Sequence, residues 1–113
     1  MALLTAQLPI ITGTVLAPVA AAGGGDNFAN TGSEFFYIKN LSGGNITVTF
    51  DSPGTCSFGL ANNAVHDAAI VVATATERII GPFPTPRFND GSNLVQVTYS
   101  GVTSTTVAVI KAA

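Results

Sequence analysis

From Glu34 to Lys111 the residues alternate apolar and polar with a period of two, and no stretch keeps the 3.6-residue period of a helix. Successive side chains of a strand leave opposite faces, so a period of two predicts strands. Ile46, Val48 and Phe50 fall on one face and Thr47 and Thr49 on the other, the pattern of a strand buried on one side. Phe36 and Ile38 oppose Phe35, Tyr37 and Lys39 within Glu34 to Asn40; Val95, Val97 and Tyr99 share a face, as do Thr105, Val107 and Val109. The inward rows predict a core of Phe36, Ile38, Ile46, Val48, Phe50, Val95, Val97, Val107 and Val109.

Turn chemistry separates these runs. Leu41-Ser42-Gly43-Gly44, Ser52-Pro53-Gly54 and Asn89-Asp90-Gly91-Ser92 are stops, and a short turn with Gly101 joins the last two strands. A weaker strand is expected over Thr55 to Leu60, with a turn at Asn62-Asn63. Ala68 to Ala73 and Thr76 to Ile80 read as a pair; Ala68 to Ala75 would also suit a short helix, and Val71 and Val72 favour the strand. Three prolines in Gly81-Pro82-Phe83-Pro84-Thr85-Pro86 make that stretch a sheet edge or a crossing loop. About six to eight short strands with regular turns predict an all-β fold, an antiparallel β-sandwich or a jelly-roll-like barrel. There is no repeat of solenoid or propeller length.

The first quarter is different. Met1 to Gly25 contains no charged side chain and ends in Gly23-Gly24-Gly25. Ala20-Ala21-Ala22 resembles a signal-peptide cleavage site, but no Lys or Arg precedes the apolar run, and Pro9 and Pro18 interrupt it. The same prolines and Gly13 argue against a transmembrane helix. The expectation is an extended apolar N-terminal arm, residues 1–25, hinged by glycines to a β body of residues 26–113. Leu3, Leu4, Leu8, Ile10, Ile11, Val15, Leu16 and Val19 are its candidate partner-binding residues, lying extended along a partner protein or an adjacent subunit rather than folding back as an independent helix.

Charge sets further limits. Only 9% of the 113 residues are charged, where an average domain has roughly 25%, and the net charge is -2. Phosphate-driven nucleic-acid binding and polybasic membrane attachment are therefore excluded, and a 47% apolar fraction excludes disorder. Polarity comes from fourteen Thr, seven Ser and eight Asn. Hydroxyls and amides cost less to desolvate than charges, which suits a surface that packs on protein. The single cysteine, Cys56, makes no intrachain disulfide. So small a domain without a disulfide has a thin core, and oligomerisation is one way to stabilise it.

A search for chemistry finds little. His66 is the only histidine, with Asp67 beside it, and no Gly-x-Ser-x-Gly elbow supplies a nucleophile. Asp26, Glu34, Asp51, Asp67, Glu77 and Asp90 are scattered, and no spacing singles out a glycosidase pair. Asp90-Gly91-Ser92-Asn93 lacks the further acids of a calcium loop. No glycine-rich stretch leads into a phosphate-binding helix. The sequons at Asn40 and Asn45 read as chance matches. The expectation is a protein that is not an enzyme and has no cofactor or metal.

Four stretches carry a resemblance. Gly24-Gly25-Asp26-Asn27-Phe28-Ala29-Asn30-Thr31-Gly32 is one, and Phe36-Tyr37-Ile38-Lys39-Asn40 with Ile46-Thr47-Val48-Thr49 is the second. The third is Glu77-Arg78-Ile79-Ile80-Gly81-Pro82-Phe83-Pro84 with Phe88-Asn89-Asp90. The fourth is Val95 to Ser104 running into Thr106-Val107-Ala108-Val109-Ile110. In order and spacing these resemble small head-decoration, or capsid cement, proteins of tailed bacteriophages and prophages. The resemblance implies a structural virion protein, made in the bacterial cytoplasm, that stabilises the outer surface of a capsid by binding the major capsid protein. It also implies a homo-oligomer, a trimer by analogy, and a C-terminal hairpin. The N-terminal arm lies outside the match; on this reading it extends along the capsid protein or an adjacent subunit. The competing expectation is a carbohydrate-binding or host-adhesion β-sandwich in a small fibre or tail module. It is disfavoured because there is no Trp and only Tyr37 and Tyr99 offer a ring with a polar handle.

Overall fold

The computed structural model describes residues 2–9, 13, 15–52 and 68–111. The chain runs β1 (Ala2–Leu4), β2 (Ala6–Gln7), β3 (Val19–Ala20), β4 (Asp26–Ala29), β5 (Glu34–Asn40), β6 (Ile46–Phe50), β7 (Ala68–Val72), β8 (Thr76–Ile80), α1 (Thr85–Phe88), β9 (Leu94–Tyr99) and β10 (Thr105–Lys111). It is nearly all β. One sheet has the order β1-β4-β9-β6-β7; the other has the order β2-β10-β5-β8, with β3 also on β10. Both sheets are mixed, because β1 runs parallel to β4 and β2 parallel to β10, while every other pair is antiparallel. The fold is thus neither wholly antiparallel nor a barrel: among the described residues each sheet ends in open edges.

The two sheets share one core. All nine residues of the predicted inward rows are buried there. Five phenylalanines form its centre: Phe28 packs on Phe36 and Phe83, Phe36 on Phe50, and Phe83 on Phe50 and Phe88, with ring centroids 4.7 to 6.0 Å apart. Phe83 reaches it from the Gly81–Pro86 stretch, which is a crossing loop that carries the chain from β8 to β9 through the single turn α1. The loop is held by amides. Asn30 Nδ2 donates to Phe83 O at 2.9 Å and to Asn89 Oδ1 at 2.7 Å, and Asn89 Nδ2 donates back to Asn30 O. The expected turns at residues 41–44 and 89–92 are present, the second closed by Asp90 Oδ1 accepting from Ser92 and Leu94 N–H.

Two pairings differ from expectation. β7 and β8 lie in different sheets, and so do β9 and β10, which rules out the C-terminal hairpin. Alternation specifies which side of a strand is buried, and that is satisfied as well by facing a neighbour across the core as by standing beside it. The expected strand over Thr55 to Leu60, the Asn62-Asn63 turn, and Cys56, His66 and Asp67 lie outside the described residues.

The N-terminal quarter also departs from the free-arm reading. β1 adds to the edge of β4 with Leu4 opposite Phe28, and Leu4 enters the core at 7% exposure. At Thr5 the chain steps to the other sheet, where Ala6 pairs with Val109. It returns as β3 beside Thr106 and Val107, and Ala21, also buried in the core, donates its N–H to Thr105 O. Apolar residues with no charge among them are stabilised wherever they leave water, and the nearest cover is the chain's own sheet edges.

Candidate interaction surface

The sheets turn unlike outer faces to their surroundings. On the β4-β9-β6 side the outward residues are Asn27, Gln96, Thr98, Thr47 and Thr49, and Asn27 Nδ2 donates to Gln96 Oε1. On the β10-β5-β8 side Phe35, Ile110, Ala108 and Ile79 face outward around Tyr37. The Tyr37 hydroxyl donates to Glu77 Oε2 at 2.5 Å. That hydrogen bond, burial and the adjacent negative charge push its pKa up to about 12.

Of the eight candidate partner-binding residues, five are exposed: Leu3 (66%), Leu8, Val15 (87%), Leu16 and Val19. Leu4 is corrected, since it is a core residue: strand alternation that exposes Leu3 turns its successor inward. Ile10 and Ile11 lie outside the described residues. Gln7 ties the chain between β2 and β3 back to β2 at Val15 and Ala17. Its Nε2 donates to Val15 O, and its Oε1 accepts from Ala17 N–H, both at 2.9 Å. Beside the clasp a groove of about 350 Å³ is lined by Leu3, Leu4, Ala6, Val19, Val107 and Val109 among others, with no charged residue. The sequence marks these residues as apolar; the amide clasp was not legible, since Gln7 joins positions eight and ten residues away.

The acids are engaged separately. Asp26, fully buried, accepts from the Tyr99 hydroxyl at 2.6 Å and from Ala22 N–H at 3.2 Å, both at Oδ2. Burial first, then Asp26, raise the Tyr99 pKa far above its usual value. Glu34 accepts from Thr31 and Ser33, and Glu77 from Tyr37. Backbone N–H groups of Leu94 and Ser92 and the Gln96 amide hold the Asp90 carboxyl below its ordinary range. Among the described residues no three His, Cys, Asp or Glu side chains gather as a metal site, and no helix is long and apolar enough to cross a membrane. Both tyrosine hydroxyls donate to carboxylates; Tyr37 is buried and Tyr99 is partly buried against the core.

The chain matches no protein-family model, no curated protein and no solved structure.

Proposed function

We propose that this chain is a structural virion protein that decorates and stabilises a phage capsid, binding the major capsid protein through its N-terminal surface. The observation that carries the reading is the exposure of Leu3, Leu8, Val15, Leu16 and Val19 on one uncharged segment, with Leu3 and Val19 lining an apolar groove. Large apolar side chains left exposed along one segment favour a protein contact. The order and spacing of the four phage-like stretches supply the identity of the partner. In this reading the two sheets are the faces of a β-sandwich, a rigid spacer without a catalytic centre. Repetition over a shell multiplies modest contacts through avidity.

The test is co-sedimentation with shells assembled from the major capsid protein of the phage or prophage that would encode this chain. Wild type should pellet with the shells, and Leu8→Asp with Val15→Asp should stay in the supernatant while keeping the wild-type urea midpoint. Wild type that fails to pellet, or a variant that binds fully, overturns the proposal. Deleting residues 2–22 is the poorer test, because it removes Leu4 and Ala21 from the core.

A further inference from the structure

Each sheet has two edges, and an edge strand offers unpaired backbone groups unless something blunts it. β1 has three residues, and β2 and β3 have two each, too short to template much. β8 is longer but carries Glu77 and Arg78. Its register places Arg78 opposite Ile38, so Arg78 stands on the inner side of the strand. An inward charge at an edge disfavours strand addition. β7 has no such device. Ala68-Ala69-Ile70-Val71-Val72 contains no charge, proline or glycine, and three of its five residues are β-branched. Among the described residues, β6 is the one strand paired with it. Val71 is half exposed on the outer face, with Ala69 exposed beside it. At the far end Val72 O accepts from Asn40 Nδ2, which closes the open stretch at Val71.

We propose that this edge takes β7 of a second copy, antiparallel, joining two chains into one continuous sheet across a two-fold axis at Ile70. Self-complementarity selects the occupant. With the axis at Ile70, each Val71 stands opposite Ala69 of the second copy on the outer face, large against small, and no charge meets another. The same operation on β8 about Arg78 would oppose two guanidinium groups. The surface that continues from β7 is Thr47 and Thr49, whose hydroxyls are inexpensive to cover. An isologous contact of this kind makes a pair, where the resemblance to cement proteins implies three. The inference does not rest on the capsid reading.

Sedimentation of the full chain over a range of concentrations tests it. Wild type should shift with concentration from 11.4 kDa to twice that mass. Ala69→Lys with Val71→Lys opposes like charges across the axis and should raise the dimer Kd about tenfold or more. Ala69→Lys with Val71→Glu opposes unlike charges and should restore pairing. Ile79→Lys, on the other sheet, should pair as wild type does. A wild type that stays monomeric, a trimer, a dimer indifferent to the lysine pair, or equal loss in the Lys/Lys and Lys/Glu variants would each overturn the proposal.

Discussion

The Tyr99 hydroxyl donates a 2.6 Å hydrogen bond to Oδ2 of Asp26, whose side chain is fully buried and whose Oδ1 has no partner among the described residues. The same Oδ2 takes Ala22 N–H, and Gly25, just before Asp26, lies at a φ of +95° with Val97 O 2.5 Å from where a Cβ would stand. Asp26 therefore ties the glycine stretch to β9. Tyr99→Phe removes a donor from a buried carboxyl and should lower stability by about 1.5–3 kcal/mol. Urea denaturation reads this directly; an unshifted midpoint would show that the clasp contributes nothing.

The two tyrosines, with no Trp in the chain, make a clean optical titration. Tyr37 should ionise near pH 12 and Tyr99 later still, whereas both should ionise near pH 10 in denaturant. The folded state holds these protons more tightly than the unfolded state. Their stabilisation is therefore complete below pH 10 and is lost as pH rises through the folded values. Alkaline unfolding should accompany the second phenolate step. A folded protein titrating with a single step near pH 10 would contradict the assignment.

Leu3 and Leu4 are chemically identical neighbours with opposite duties. Leu4→Ala should cost about 2–5 kcal/mol, as for a core leucine. Leu3→Ala should change stability by less than about 0.5 kcal/mol while weakening shell binding. Paired denaturation and co-sedimentation measurements separate the two effects, and equal destabilisation by both substitutions would refute the β1 register.

Asn40 is fully buried at the end of β5. Its Nδ2 donates to Gly44 O and Val72 O at 2.9 Å each, and its Oδ1 accepts from Ser42 N–H and Ser42 Oγ. Asn40→Asp turns the donor end into an acceptor facing two carbonyl oxygens and should cost at least about 2 kcal/mol. The thermal midpoint at neutral pH should fall accordingly; a wild-type midpoint would mean that the turn finds other donors.

Much of the buried side of each strand was legible because burial leaves a period-two trace in the sequence. Ile46, Val48 and Phe50 announce an inward row wherever their strand is placed. Phe28, Phe83 and Phe88 left no such trace: the first sits in a four-residue strand, and the others lie in a proline-rich loop and its single helical turn. The clasp at Gln7 and the exposure of Leu3 beside a buried Leu4 likewise depend on residues distant in the chain.

By itself, then, the sequence determined an all-β chain, its inward rows, its turns and the need to cover a charge-free first quarter. The tertiary structure decided which strands are neighbours, that β9 faces β10 across the core, and that the first quarter closes onto β4 and β10. The division has a physical cause. Side-chain alternation records which face leaves water, whereas backbone hydrogen bonds between strands are the same for nearly every residue and carry no address. Hydrophobic burial is equally non-directional: it requires that Leu4 and Ala21 be covered, and only the completed core supplies the place.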